Sequence, residues 1–293
     1  MEKSFNSPPL TELLTLSEAE IRDKIIKGKA IYQPAGAAEE YSKWACNLYK
    51  GCDHNCVYCY CKRGKLAHAL GGPHAILKET LGNEQKAFGI FCKELVKWRT
   101  QIIEDGGLFF SFSSDPFLSQ TTDLTLRCIL YALGAGVPVS VLTKATDWVY
   151  TNWIVGSLYQ FRDLLKIGFT LTGHDEREPG APSTTSRIAA MLRLSGCQFY
   201  TFASIEPVID FEASLKCILN IAPFCKELRI GLLSPYSPHR YDWHQCDRFI
   251  DKVTDIANHE GIIVRWKNSI NRFYREAMPA DIKEKAIVEG RIK

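Results

Sequence analysis

The sequence predicts an α/β protein in which a mostly parallel sheet forms an open or partial barrel, of the (β/α)6 type. Short apolar runs rich in β-branched and aromatic residues alternate with amphipathic segments of helical length from about residue 84 onwards. Such alternation is typical of βαβ units. A length of 293 residues with 46% hydrophobic residues also suits one barrel of this kind. The carboxyl ends of the strands are therefore where we expect the chemistry.

The elements follow one another along the whole chain. The predicted strands are 108–112, 137–142, 167–171, 198–205, 228–233 and 262–264. The predicted helices are 84–104, 123–133, 148–161, 185–194, 211–221 and 244–259. A further helix near 17–27 begins with a capping box formed by Ser17 and Glu20. We expect three parts: a lead segment over 1–40, a core domain over 41–240, and a helix and short strand over 241–293 that close the barrel.

Composition sets the class of protein but not its substrate. A net charge of +3 does not by itself indicate nucleic acid. The sequence has no pattern typical of a signal peptide and no apolar run long enough for a bilayer, so we expect a cytosolic protein without membrane association. In a reducing compartment, clustered cysteines indicate metal binding or catalysis. Of the eleven cysteines, four in apolar surroundings are predicted to be small buried residues: Cys92, Cys128, Cys197 and Cys217.

Three cysteines, Cys52, Cys56 and Cys59, lie within eight residues. Three thiolates in one loop can bind three irons of a cubane [4Fe–4S] cluster. The missing fourth thiolate leaves one iron open to an outside ligand, as in an open catalytic metal site. We therefore predict these three cysteines as cluster ligands.

The alternative is a zinc site completed by Cys46, Cys61 or His54. Zinc sites more often contain two Cys-x2-Cys pairs, and no second pair follows here. The cluster is the favoured interpretation, and Cys46 and Cys61 are not expected to be ligands.

The spacing Cys-x3-Cys-x2-Cys resembles the signature of the radical S-adenosylmethionine superfamily, and the segment from Asn47 to Tyr60 is similar to its spore photoproduct lyase branch. The resemblance covers about 30–235. It implies a partial barrel of the radical SAM kind, a [4Fe–4S] cluster whose free iron binds S-adenosylmethionine, and reductive cleavage to a 5′-deoxyadenosyl radical. It also implies a flavodoxin- or ferredoxin-like electron donor.

The resemblance implies roles for several residues. Tyr58 stands beside the adenine, and Tyr58 and Tyr60 match two tyrosines of the lyase's radical relay, which makes them the catalytic candidates. Ser114 and Asp115 stand where the superfamily binds the methionyl amino group, and Lys144 where the lyase contacts the methionyl carboxylate.

Two further cofactor-binding candidates end later strands. Thr170 matches a serine that touches the cofactor in the lyase. Glu206 is expected either to hold a ribose hydroxyl or a substrate donor, or to form a structural salt bridge. Glu178 lies in a loop that resembles the Glu-Pro-Gly loop of the lyase, and it receives no role.

The sequence also departs from the lyase. Phe112 stands where the lyase carries its hydrogen-donating cysteine, so another substrate or another hydrogen donor is expected. C-terminal cations interleave with aromatic residues, which suits nucleic acid, although an amphipathic element covering the barrel edge is favoured. These residues are Arg265, Trp266, Lys267, Arg272, Phe273, Tyr274 and Arg275.

The leading expectation is radical chemistry on a nucleic-acid base or nucleotide. The alternatives are radical modification of a peptide or small metabolite, and a zinc-binding module that interacts with nucleic acid.

Overall fold

A computed structural model describes residues 28–234 and 237–283 of the chain. Its main sheet has eight strands in the order β1-β2-β5-β6-β7-β8-β9-β10. The strands are β1 (Ile31–Tyr32), β2 (Ala45–Cys46), β5 (Leu108–Phe110), β6 (Val139–Thr143), β7 (Leu165–Thr170), β8 (Tyr200–Val208), β9 (Glu227–Leu232) and β10 (Ile263–Trp266). All neighbouring pairs are parallel except β1 with β2. The predicted α/β class with a mostly parallel sheet is confirmed.

Helices connect the parallel strands. They are α1 (Gly64–Leu70), α2 (Glu84–Glu104), α3 (Thr122–Gly134), α4 (Asn152–Tyr159), α5 (Thr184–Gly196), α6 (Phe211–Ile221), α7 (Trp243–Glu260) and α8 (Asn268–Glu276). A small antiparallel pair, β3 (Tyr49–Lys50) with β4 (Ile76–Leu77), flanks the cysteine loop. No helix of the described residues is long and apolar enough to cross a membrane.

The predicted elements agree closely with the structure. The predictions for α2 and α6 match residue for residue, and all six predicted strands are present with shifted ends. The helix predicted over 148–161 is wrong in part, because a 3-10 turn at Asp147–Tyr150 precedes a shorter α4. The helix predicted near 17–27 lies outside the described residues. The strands β1 to β4 were not predicted, since two-residue strands are too short to show a period, and neither were α1 and α8.

The sheet has one mostly apolar face and one on which polar side chains lie among apolar ones. Ser140, Lys166, Ser204 and Arg229 alternate with buried apolar residues along their strands. Tyr41, from the segment between β1 and β2, lies on the polar face and bonds Ser204 Oγ at 2.6 Å. Because successive side chains point to opposite faces, the apolar set faces the helices and the polar set lines the interior.

Residues 37–41 link the two edges of the sheet. Lys267 Nζ, just after β10, donates to the carbonyl oxygen of Ala37 at 3.1 Å. The amide of Asn268 donates to Glu40 Oε2 at 2.7 Å. The lead segment and the C-terminal segment therefore meet across the open side of the sheet, and the sheet includes β1, before residue 40, and β10, after residue 240.

Several of the C-terminal cations and aromatic residues make contacts within the fold. Phe273 and Lys267 are buried, and Arg265 Nε pairs with Glu227 Oε1 at 2.8 Å. Tyr274 donates its hydroxyl proton to Asp247 on α7. These contacts support the covering element rather than a nucleic-acid surface. Cys92, Cys128 and Cys217 are buried as expected, whereas Cys197 is only half-buried because it follows the end of α5.

A glycine on β7 is required by close packing in the interior. A Cβ at Gly168 would lie 2.2 Å from the ring of Phe202, which is fully buried on β8. We expect Gly168→Ala to lower the free energy of unfolding by about 1–3 kcal/mol through overpacking. Gly156→Ala is the control, since a Cβ there meets open space in α4 and should stabilise by up to about 1 kcal/mol. Urea unfolding measures both, and equal effects would contradict the packing.

Candidate functional site

The three cysteines lie in a tightly folded loop that follows β3. Gly51 opens the loop with φ +73°, and a Cβ there would lie 2.2 Å from the carbonyl oxygen of His74. The loop ends in a 3-10 turn over Tyr60–Lys62. Since β3 comes directly after β2, the loop begins near the carboxyl end of the first parallel strand, where ligands bind in such sheets.

One ammonium group acts on all three thiols. Burial raises the pKa of Cys52 to about 12 and also raises the pKa of Cys56, and the positive charge of Lys144 opposes both shifts. A hydrogen bond with Cys61 lowers the pKa of Cys59 to about 6, and Lys144 adds to this effect. Lys144 follows β6, so the sheet brings this cation to the cysteine loop.

Lys144 is itself held by a buried carboxylate. Its Nζ lies 3.8 Å from Glu178 Oε1 and 5.6 Å from the centre of the Tyr58 ring. Burial lowers the pKa of Lys144, but the charges of Cys56 and Glu178 raise it by more, so the net shift is upward. The ammonium is therefore charged at neutral pH.

Glu178 is the centre of this network, and the sequence analysis assigned it no role. Its carboxylate is fully buried, pairs with the fully buried guanidinium of Arg187 and accepts a hydrogen bond from the Tyr58 hydroxyl. Arg187 also donates to the carbonyl oxygen of Thr170 at 2.7 Å. A signal was present in the sequence, since Arg187 interrupts the apolar face of α5 and needs a buried partner.

The loop that carries Glu178 packs directly on the cysteine loop. The amide of Gly180 donates to the carbonyl oxygen of His54 at 3.0 Å, and the amide of Val57 donates to that of Arg177 at 3.0 Å. A Cβ at Gly180 would lie 2.1 Å from the carbonyl oxygen of Asp53. Glycine is therefore required for this approach of two backbones.

Asp115 uses all its acceptor positions within the protein. Its Oδ1 accepts from Thr143 Oγ1 at 2.7 Å and from the Phe117 amide at 2.9 Å. Its Oδ2 accepts from the Lys144 amide at 2.7 Å and lies 2.9 Å from His54 Nε2. Burial raises its pKa, but His54 and the other donors outweigh burial and lower the pKa to about 2. Asp115 thus joins the ends of β5 and β6 to the cysteine loop.

Ser114 differs from its neighbour. Its Oγ is buried and has no hydrogen-bond partner among the described residues. A buried hydroxyl without a partner is costly, and it is satisfied when a ligand supplies a donor or acceptor. Thr170, buried at the end of β7, is held to the same network through its carbonyl oxygen.

Glu206 lies apart from the thiols, on the interior face of β8. Its carboxylate accepts from Tyr41 Oη at 2.6 Å and pairs with Lys267 Nζ at 2.8 Å. The structural salt bridge, one of the two expectations for Glu206, is therefore present. Tyr60 also lies apart from the network, because its hydroxyl donates to the carbonyl oxygen of Phe112.

The candidate fourth zinc ligands have other contacts. Both ring nitrogens of His54 face oxygen atoms, those of Asp115 and of the Gly180 carbonyl. Cys46 is fully buried in β2, and Cys61 Sγ lies 3.7 Å from the carbonyl oxygen of Phe112. In the part of the chain that is described, no three His, Cys, Asp or Glu side chains form a group suited to one metal ion.

Comparison with known proteins shows the fold. No protein-family model matches the sequence. An uncharacterised protein of Methanocaldococcus jannaschii is 22% identical over 258 residues, which cover 85% of this chain and 90% of that protein. A spore photoproduct lyase structure superposes with a TM-score of 0.58 at 13% identity over 79% of both chains.

Two further structures share this fold. Spore photoproduct lyase in complex with a dinucleoside spore photoproduct has a TM-score of 0.57 at 14% identity, over 80% of each chain. SuiB of Streptococcus suis, bound to S-adenosylmethionine, has a TM-score of 0.54 at 11% identity, over 82% of this chain and 54% of its own. This chain therefore has the partial-barrel fold of radical SAM enzymes, as the resemblance predicted.

The buried contacts of Glu178 lead to a prediction about the stability of the protein. We expect Glu178→Gln to lower the free energy of unfolding by about 3 kcal/mol, because Arg187 loses its buried counter-charge. Glu176→Gln is the matched control in the same loop, where the side chain is 67% exposed and the loss should stay below about 1 kcal/mol. Urea unfolding under reducing conditions measures both, and similar losses for the two variants would contradict the network.

Proposed function

We propose that this protein is a radical SAM enzyme in which Cys52, Cys56 and Cys59 hold a [4Fe–4S] cluster. The observation that carries the proposal is that Lys144 and the loop of Glu178 pack around the cysteine loop at the carboxyl end of the sheet: Lys144 Nζ lies 5.6 Å from the centre of the Tyr58 ring, and the Gly180 amide donates to the carbonyl oxygen of His54 at 3.0 Å. A neighbouring cation stabilises thiolates, which are the form that binds iron. Amides also support this form, since those of His54 and Asp115 donate to the Cys52 sulfur.

The chemistry of the three cysteine ligands and of Ser114 suits the cluster and its cosubstrate. Three thiolates are the soft ligands that iron–sulfur clusters require, and they leave one iron for S-adenosylmethionine. Ser114 Oγ, buried without a partner, has hydrogen-bonding capacity left for the methionyl amino group. When bound, the cluster and S-adenosylmethionine supply a 5′-deoxyadenosyl radical that abstracts hydrogen from a substrate.

The protein's own groups then neutralise charge, bind the cosubstrate and position one another. Lys144 neutralises thiolate charge and is available to the methionyl carboxylate, and Tyr58 lies beside it to contact the adenine. Glu178 and Asp115 position these groups, since one holds Lys144 Nζ and the other its amide. The acceptors of Asp115 are all occupied, so we assign it to position Lys144 and His54 rather than to bind cosubstrate, and we assign Glu206 to its pair with Lys267, away from the thiols. Thr170 lies at the carboxyl end of β7, at the same edge of the sheet as these groups.

For the substrate we propose a nucleic-acid base or nucleotide. Support comes from the half-buried ring of Phe112, which stacks on Phe109 with centroids 4.5 Å apart. An aromatic ring of this kind suits base stacking. Tyr60 contacts the main chain of Phe112 and is the candidate for radical transfer at this position.

Metal analysis and product formation test the proposal. Protein prepared without oxygen is expected to contain about four irons and four sulfides per chain. On reduction with dithionite it is expected to convert S-adenosylmethionine to 5′-deoxyadenosine. Cys56→Ala should lose both the cluster and this product. Cys197→Ala, a half-buried cysteine after α5, should keep both.

Two results would contradict the proposal. One is a single zinc ion per chain in protein that was never exposed to air. The other is a Cys56→Ala variant with unchanged iron content and unchanged 5′-deoxyadenosine formation.

A further inference from the structure

A cavity of about 280 Å³ lies at the amino ends of the strands, at the opposite end of the sheet from the cysteine loop. Four of the residues that line it are Ser140, Lys166, Arg229 and Arg265, each among the first three residues of β6, β7, β9 or β10. The volume is near the lower end of the range for small-molecule sites. The proposed function uses none of the residues that line this cavity.

Aromatic rings separate this cavity from the carboxyl end of the sheet. Phe202, which is fully buried, precedes Glu206 by four residues along β8. The guanidinium of Arg229 lies 4.3 Å from the centre of the Phe202 ring and 5.2 Å from the centre of the Tyr41 ring. Tyr41 packs in turn on Phe109, with ring centroids 5.4 Å apart. The cavity is therefore distinct from the site at the cysteine loop.

Three cations converge on one carboxylate beside the cavity. Glu227 Oε1 accepts from Arg229 Nε at 2.7 Å and from Arg265 Nε at 2.8 Å, and Lys166 Nζ lies 3.9 Å from Glu227 Oε2. Burial raises the pKa of Glu227, but the three cations outweigh burial and lower it, so this carboxylate is ionised. One negative charge against three positive charges leaves the group with two positive charges in excess.

Both guanidinium groups reach Glu227 through Nε and have other donors left. Arg229 Nη1 makes a long bond of 3.3 Å to the carbonyl oxygen of Tyr41. Within the described part of the chain, Arg229 Nη2 and both Nη atoms of Arg265 have no acceptor. The Arg229 side chain is only 8% exposed and is held by Glu227 and by two rings, so little ordering is needed on binding. The planar Nη donors of arginine match two oxygens of a phosphate or carboxylate.

The acidic residues of this cavity lie toward its rim. Asp105 pairs with Lys43 at 2.9 Å. Glu40 and Asp163 are exposed, so water screens their charges. Arg229 is buried, and it is therefore the charged lining residue that solvent screens least.

We infer that this cavity binds a small oxyanion ligand, whose phosphate or carboxylate group lies against Arg229, Arg265 and Lys166. The inference goes beyond the proposed function and does not depend on the cluster. Ser140, half-buried on β6, adds a hydroxyl to the same lining. A cavity of about 280 Å³ takes a small molecule rather than a polymer.

Isothermal titration calorimetry on the full chain, prepared without oxygen, tests the inference. The probes are inorganic phosphate and, separately, succinate, each in buffers held at constant ionic strength with chloride. We expect saturable binding of at least one probe with one site per chain, and the tighter probe identifies the anionic group that the site prefers. Lys166→Met and Arg265→Met should each lower the association constant about 3- to 10-fold, and the double variant at least about 10-fold.

Two further variants serve as controls. Asp163→Asn removes a negative charge from the rim and should raise the association constant about 2-fold. Arg248→Met/Lys252→Met makes the same charge change as the double variant, but on the exposed face of α7, and should bind as the unmodified protein does. The single variants leave the pair of Arg229 and Glu227 intact, so they decide the test if the double variant does not fold.

Three outcomes would overturn the inference. One is the absence of saturable binding for both phosphate and succinate. Another is binding that is unchanged in both single variants, and the third is an equal loss in the α7 control, which would indicate a general effect of charge. Iron and sulfide content tests the proposed function separately, because none of these substitutions lies at the cysteine loop.

Discussion

The buried pair of Glu178 and Lys144 is the interaction on which the candidate site depends. A carboxylate without solvent is tolerated only with cations and donors around it, and here Arg187, Lys144 and Tyr58 supply them. The pair fixes an ammonium beside three thiols that burial alone would keep protonated. Burial makes this arrangement effective, because charges interact more strongly away from water.

The fold is arranged so that separate elements meet at this pair. Lys144 comes from the end of β6, and Glu178 from the loop between β7 and α5. Asp115, from the end of β5, ties the amide of Lys144 to His54 of the cysteine loop. A parallel sheet brings the carboxyl ends of its strands to one edge, so short loops suffice to assemble the site. At the open side, Lys267 and residues 37–41 close the interior without contributing to this edge.

Much of the fold was predictable from sequence, because most strands of the main sheet and the long helices leave a periodic apolar pattern. The cysteine spacing likewise singled out the loop for which we propose the cluster. Glu178 was missed, because its role depends on Arg187, which shows a need for a counter-charge but not which carboxylate meets it. Asp115 and Ser114 are adjacent in sequence, yet one has all its acceptors occupied and the other has an unpaired hydroxyl. That difference arises mainly from donors at the end of β6 and in the cysteine loop, which no local pattern reveals. Tyr41 reaches the interior from a segment without any periodicity.

Electron–nuclear double resonance on the reduced protein tests the central claim most directly, that the three thiolates leave one iron for S-adenosylmethionine beside Lys144. With ¹⁷O in the methionyl carboxylate, we expect hyperfine coupling of that oxygen to a [4Fe–4S] cluster. We also expect Lys144→Met to weaken S-adenosylmethionine binding while the cluster remains. A reduced protein with no iron–sulfur signal, or a cluster whose signal shows no coupling to the labelled cosubstrate, would contradict this claim.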